Sequence, residues 1–316
     1  MKKLLLVCSV ASFAFAGAAE AASVTTNATG FTLGDNGRTL LTIPDLNMPA
    51  MVTSTAITSG GAPVSISGIT YRPATGELYG YSNQDDTVYL IDTATGAASA
   101  QASLAGGTNV ETLGIDFNNF VDAARVVTTS DTNIVYFPNN TPQNIAPFTD
   151  LAYAPGDANE GINPEVFANA YTNAVPMPTS TLQFGLDSQT DALVNIANNA
   201  GTLTTVGDLF FMGAALDVGV DGGLDILSFA DGDNTALAVL TTFGSSFSGQ
   251  GLFLVPLVAD TMGRINVELI GALAGGFGTL DGFAVAPMAA VPLPGALGFF
   301  IGGLALLGFV RRRRPA

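Results

Sequence analysis

An all-β fold, a propeller-like repeat of about five four-stranded blades, is what this sequence predicts. Three observations carry it. Gly is frequent, at 37 of 316 residues, charged residues make up only 11%, and Thr, Val, Ala and Leu fill strand-length runs separated by Gly, Asn, Asp and Pro. Gly68-Ile69-Thr70-Tyr71 returns as Gly114-Ile115-Asp116-Phe117 after 46 residues, and Val88 and Val135, both in third runs, stand 47 apart; spacing in the forties is that of four-stranded blades. The incomplete sets of runs at the two ends also complement each other. A two-sheet β-sandwich is the alternative architecture.

From the N-terminus, Met1-Lys2-Lys3 is a basic n-region, residues 4–16 form an apolar h-region, and Ala19-Glu20-Ala21 is a small-x-small cleavage signal. These are the three parts of a secretory signal peptide. Cleavage is expected after Ala21, with Ala22 as the neighbouring alternative, which makes 1–21 the signal and 22–290 the folded domain. A retained anchor is the weaker reading, because the h-region is short for a bilayer span.

Residues 38–43 and 52–57 read as third and fourth strands lacking a first. Runs 65–71, 77–82, 87–92 and 97–104 make a complete blade, joined by turns at 73–76, 83–86 and 93–96. Runs 111–117, 124–129, 133–137 and 144–150 repeat it. A third unit holds 166–171, 181–186 and 203–207, with 192–196 as an extra run, and a fourth holds 224–229, 235–241, 252–258 and 265–269. Residues 279–286 resemble a first strand standing alone. Paired with the N-terminal strands, that run would close the ring and hide the open edges that otherwise invite aggregation.

The chain ends with Val291-Pro292-Leu293-Pro294-Gly295, an uncharged apolar stretch from 296 to 310, and Arg311, Arg312, Arg313 and Arg314. An apolar stretch of this kind is expected to form a transmembrane helix, and the arginines behind it are expected to stay cytoplasmic. The motif, helix and Arg cluster together resemble the PEP-CTERM type of sorting tail of Gram-negative bacteria, in its VPLPA-type variant, with Gly295 where that variant usually has Ala. The resemblance implies recognition by an exosortase, a membrane peptidase that cuts near the proline motif and passes the domain to the cell surface or extracellular polymer. On that reading signal peptidase and an exosortase-type enzyme are export partners and residues 291–316 are a temporary handle. A permanent single-pass anchor of a periplasmic protein is the other reading.

Charge and composition exclude several activities. The whole chain carries −16, but residues 22–290 hold four Arg, no Lys and 25 acids, a net of −21. Such a field repels nucleic acid and anionic lipid and attracts divalent cations or basic partners. Cys8 lies in the signal peptide and the chain has no His or Trp. That leaves no Ser-His-Asp or Cys-His nucleophile, no His- or Cys-ligated zinc and no disulfide in the domain. Carboxylate chemistry stays open, since glycosidases work with two acids, yet no recognisable catalytic motif is present and a non-enzymatic protein is expected.

Several local sequences resemble an uncharacterised domain family of secreted bacterial proteins with propeller-like repeats. They are Gly76-Glu77-Leu78-Tyr79-Gly80, Ile91-Asp92-Thr93-Ala94-Thr95-Gly96, Gly114-Ile115-Asp116-Phe117-Asn118 with Asp122 and Arg125-Val126-Val127, Ala170-Tyr171-Thr172-Asn173, and the stretch from Asn198 to Gly207. Asn119 stands where the family pattern usually has Pro. The resemblance implies a fold and no reaction.

Asp116, Asp122 and Arg125 gather two acids around one of only four arginines of the domain. Their structural reading is a latch between strands or blades, because an unpaired half-buried Arg is costly; their functional reading is an anion or sugar contact at a blade rim. Asp157 and Asn159 resemble the start of an oxygen-ligand calcium loop, and Asp231 and Asp233 lie in a second acid-rich stretch. Calcium is the one cofactor these stretches suggest, against solvated β-turns. Seven tyrosines, Tyr71, Tyr79, Tyr81, Tyr89, Tyr136, Tyr153 and Tyr171, could stack on sugars, though most sit in strand runs where Tyr is simply a good β residue. Two functions are therefore expected: a structural or adhesive component of the envelope or extracellular polymer, or a carbohydrate-binding or carbohydrate-active protein using rim carboxylates on extracellular polysaccharide.

Overall fold

The computed structural model describes residues 22–24, 27–104, 111–244 and 246–288. The signal peptide with Ala19 and Ala21, the sorting motif and the arginine cluster lie outside the described residues. Among the described residues no helix is long and apolar enough to cross a membrane.

Five sheets stand in a ring, as the repeat implies. Blade I comprises Asp281–Pro287, Ala28–Gly34, Thr39–Ile43 and Thr53–Ala56 from the axis outward; blade II comprises Gly68–Arg72, Glu77–Ser82, Thr87–Ile91 and Ala98–Ser103. Blade III comprises Leu113–Asn118, Ala123–Thr128, Asn133–Phe137 and Asn144–Pro147. Blade IV comprises Val166–Tyr171, Gln183–Asp187, Ala192–Ile196 and Thr202–Phe211, and blade V comprises Val218–Leu227, Thr235–Phe243, Ser248–Leu254 and Glu268–Ala272. Neighbouring strands within each of these sets are antiparallel, and the innermost strands pack against one another in the order I, II, III, IV, V and back to I. The ring closes as expected, by pairing the C-terminal strand Asp281–Pro287 with Ala28–Gly34.

Three details depart from the sequence reading. Ala28–Gly34 supplies the second strand of blade I, which the reading omitted. Ala192–Ile196 is the regular third strand of blade IV and not an extra one. Ile265 belongs to Arg264–Asn266, which pairs in parallel with the long outer strand of blade IV, so the fourth strand of blade V begins later, at Glu268. That addition, with Ala152–Tyr153 and Ala214–Ala215, widens blade IV to seven strands.

The innermost strands show why the sequence repeats. Gly68-Ile69-Thr70-Tyr71 and Gly114-Ile115-Asp116-Phe117 recur as Ala168-Asn169-Ala170-Tyr171, Gly223-Leu224-Asp225-Ile226 and Gly282-Phe283-Ala284-Val285. The first position lies where strands of adjacent blades approach most closely. A Cβ on Gly114 would stand 2.5 Å from the Asn169 nitrogen, and one on Gly223 2.3 Å from the Phe283 nitrogen, distances that only Gly avoids.

Burial follows the seams between blades. Apolar clusters fill I/II around Leu33, Ile69 and Ile91, II/III around Tyr81, Phe117 and Tyr136, IV/V around Phe167, Ile226 and Phe253, and V/I around Leu41, Val239 and Phe283. The III/IV seam differs. The cluster there is built from blade IV and the chain leading into it, with Val127 as its single buried apolar residue from blade III.

Candidate binding cleft between blades III and IV

Where the III/IV seam gives up apolar packing, polar side chains and an open cleft of about 520 Å³ take its place. The blade III wall is shaped by the turn after the innermost strand. The Phe120 amide donates to Asn118 Oδ1 (3.1 Å), Val121 N–H bonds the Asn118 carbonyl (3.2 Å), and Asp122 takes a left-handed conformation (φ 51°). Such an Asx-type turn suits Asn and Asp, which tolerate positive φ and satisfy their own backbone. It pushes Phe120 and Val121 into solvent, 60% and 58% exposed, at the mouth of the cleft. From blade IV, the Thr181 hydroxyl donates to Asn118 Oδ1 (3.0 Å) and holds the two walls together.

Arg125 forms the floor. It is 5% exposed, and its Nε donates to the Tyr171 hydroxyl (2.9 Å) while its terminal nitrogens donate to Asn133 Oδ1 and Asn199 Oδ1. Its guanidinium lies 5.5 Å from the centre of the Phe148 ring, within cation–π range. The Tyr171 hydroxyl meets Asn198 Oδ1 (2.8 Å) and Gln183 Oε1 (2.9 Å), and burial pushes it up to about 12 against the opposing pull of Arg125. The short 3₁₀ turn Asn198–Ala200 presents both asparagines. Among the described residues no Asp or Glu lines the cleft.

The expected cluster of Asp116, Asp122 and Arg125 does not assemble. Asp116 and Arg125 are opposite each other in the ladder, yet each turns to other partners. Asp116 accepts from the Thr70 hydroxyl of blade II (2.8 Å) and from the Tyr171 backbone N–H of blade IV (2.6 Å). Asp122 pairs with Arg72 of blade II through two hydrogen bonds, and Asn139 Nδ2 adds a third (2.9 Å). The Arg72 guanidinium holds the Asp122 carboxyl below its ordinary value. All three residues join blades, as a latch would, but as three separate latches.

A second pair of acids lies on the ring axis. Asp225 repeats the Asp116 arrangement, accepting from the backbone N–H of Val285 in the next blade (2.6 Å) and from its neighbour Ile226 (2.7 Å). Both carboxyls line one enclosed void of about 10 Å³. Burial raises both, Asp225 to about 7, and the proximity of Asp225 pushes Asp116 further. The void has no room for a sugar ring, so this pair offers no glycosidase dyad.

The four residues expected to bind calcium are divided. Asp157 accepts from Asn159 N–H (2.9 Å), Thr205 N–H (2.8 Å) and the Thr205 hydroxyl (2.7 Å), whereas Asp231 accepts from the Thr179 amide (3.0 Å) and hydroxyl (2.7 Å). Asn159 spends its amide on the Thr205 hydroxyl of the strand Thr202–Phe211 (3.0 Å), and Asp233 donates its backbone N–H to the Ala230 carbonyl (3.1 Å), a turn contact. Among the described residues no group of three or more acids is placed to hold a metal ion. Of the seven tyrosines, Tyr79, Tyr81, Tyr89, Tyr136, Tyr153 and Tyr171 are buried. Among the described residues four aromatic rings line the cleft, Phe120, Phe137, Phe148 and Tyr171, and Phe120 is the exposed one.

Fold and cleft define a propeller-like protein with a cation-floored groove of mixed polar and apolar lining between two blades. The chain belongs to the family described as Domain of unknown function (DUF4394), whose model matches residues 39–274. No curated protein matches the sequence. Among solved structures, the chain is similar to a protein of unknown function from Bacteroides caccae, at 9% identity and a TM-score of 0.40, over 82% of this chain and 98% of that one. It is also similar to an auxiliary nutrient binding protein from Bacteroides ovatus ATCC 8483, at 10% identity and a TM-score of 0.36, over 56% of this chain and 46% of that one. The chain thus spans about half the length of the second protein.

Proposed function

We propose that this is an exported, non-enzymatic carbohydrate-binding protein, delivered to the cell surface or extracellular polymer by signal peptidase and an exosortase-type peptidase. The observation that carries the binding reading is the III/IV cleft, whose lining combines the exposed ring of Phe120 with amide and hydroxyl groups of Asn118, Thr181, Asn198 and Asn199. Sugar rings present an apolar face and a hydroxyl edge, which this pairing of ring and amides complements. Among the described residues the cleft lining holds amides, hydroxyls and one guanidinium and no Asp or Glu, which favours binding over hydrolysis by two carboxylates flanking the scissile bond. Support for export is the pairing of the N-terminal signal pattern with the Val291-Pro292-Leu293-Pro294-Gly295 motif, apolar stretch and terminal arginines.

A panel of bacterial and plant polysaccharides, assayed for retention and for released reducing ends, tests the first half. Retention without turnover is expected; turnover would overturn the non-enzymatic reading. Intact-mass measurement of protein recovered from the cell surface tests the second, since a chain that still carries Arg311 to Arg314 would be a membrane-anchored protein and not a sorted one.

A further inference from the structure

Arg125 differs from the other arginines of the domain. Arg72 and Arg264 each face a carboxylate, Asp122 and Asp260, and Arg38 is exposed to water. Arg125 is buried, and among the described residues no carboxylate lies within 4.0 Å of it. Its hydrogen-bond partners, two amide oxygens and a phenol, are neutral. They occupy three of the five N–H groups a guanidinium carries. Leaving a guanidinium desolvated without a counter-charge is costly. Yet the domain has 25 acids against four arginines, and Asp116, opposite Arg125 in the ladder, is turned away to the neighbouring blades. Arg125 lines the cleft.

We infer that the missing negative charge belongs to the ligand: the cleft recognises an acidic sugar, and Arg125 receives the carboxylate of a uronic acid residue. The planar fork of a guanidinium matches a carboxylate through paired N–H donors. Asn133, Asn199 and the Phe148 face fix the plane of that fork before the ligand arrives, so little ordering is lost on binding. The strong negative field of the domain sets the other side of this specificity. A polyanion is repelled from the rest of the surface, so a uronate is held at this subsite and not by general attraction. This assignment rests on the carbohydrate reading of the cleft given above.

Calorimetric titration of the full chain in detergent separates the two. The probes are a tri-galacturonate and the same trisaccharide with its carboxyl groups chemically reduced to alcohols. Carboxyl reduction is expected to weaken binding by about tenfold or more, the usual scale of a charge-assisted pair. Equal affinity for both ligands would overturn the uronate assignment and leave the carbohydrate reading standing, whereas no binding of either would overturn the reading beneath it. Tighter binding of a sulfated trisaccharide than of the uronate would overturn the carboxylate. In Arg125→Gln, shown to be folded by its circular dichroism, the preference for the acidic ligand is expected to vanish; a folded variant that keeps it would overturn the role of Arg125. The comparison of the two ligands on the unaltered protein stands even if that variant fails to fold.

Discussion

Raising the pH from 4.5 to 8 should weaken this domain, and Asp225→Asn should remove part of that weakening. Asp225 is fully enclosed on the ring axis beside Asp116, and burial lifts it from 3.8 to about 7. A carboxyl whose folded-state value is raised binds its proton more tightly in the native chain than in the unfolded one. The stability this contributes is fully present below about 4, where both states are protonated, and is lost as pH rises through about 7. A difference of about three pH units corresponds to on the order of 4 kcal/mol for Asp225. Asp116 moves in the same direction, as does Asp281, lifted to about 7 by burial and by Asp221. Groups held low, such as Asp122 beside Arg72, lose their contribution only as pH falls below the ordinary carboxylate range, outside this window. Asn at position 225 keeps an acceptor for Val285 N–H but turns one of the two acceptor oxygens into a donor, costing about 1–2 kcal/mol at every pH. Urea unfolding at pH 4.5, 6 and 8 should therefore show the variant less stable in acid and the two profiles converging or crossing towards pH 8. Parallel profiles would refute the reasoning, because they would mean that Asp225 does not hold a proton in the folded ring.

Other consequences are directly measurable. Gly114→Ala drives a methyl into the backbone of blade IV, 2.5 Å from the Asn169 nitrogen, and should cost about 1–3 kcal/mol or more in urea unfolding; Ala at exposed Gly213, whose Cβ would meet nothing within 4 Å, should cost less despite its positive φ. Arg72→Met removes the ion pair that ties blade II to the Asp122 turn and should lower stability by about 1–3 kcal/mol, with Asp122→Asn giving a similar loss and the double variant less than their sum. Phe120→Ala should leave the melting temperature within about 2 °C of the parent, since the ring is 60% exposed, while weakening retention on the polysaccharide that binds by about tenfold. Deleting the strand Asp281–Pro287 unpairs Ala28–Gly34 and opens the ring, and should yield aggregated protein in size-exclusion chromatography.

The ring was legible because its signals are local and repeated. Turns such as Asp92-Thr93-Ala94-Thr95-Gly96 announce themselves, with the Asp92 carboxylate accepting from Ala94 and Thr95 N–H (both 2.9 Å) and Gly96 at φ 72°. Ala28–Gly34 escaped because Gly30 and Gly34 weaken any strand signal; both are Gly for tertiary reasons, as a Cβ would stand 2.9 Å from Leu46 and 2.8 Å from Phe277. The cleft was legible only in part. Arg125 stood out by rarity, and Asp116 was its natural sequence partner, but the Tyr171 N–H that captures Asp116 lies 55 residues away, on another blade. Asn133 and Asn199, which do bond Arg125, are unremarkable turn-prone residues until the III/IV seam brings them together. Phe120 carried no signal, since what makes it a binding surface is the wall opposite.

A crystal of the protein soaked with tri-galacturonate tests the binding cleft most directly. Ligand density between blades III and IV, with a ring against Phe120 and a carboxylate on Arg125, is the expected result. Density that settles elsewhere on the ring, or a cleft that stays empty at saturating ligand, would contradict it.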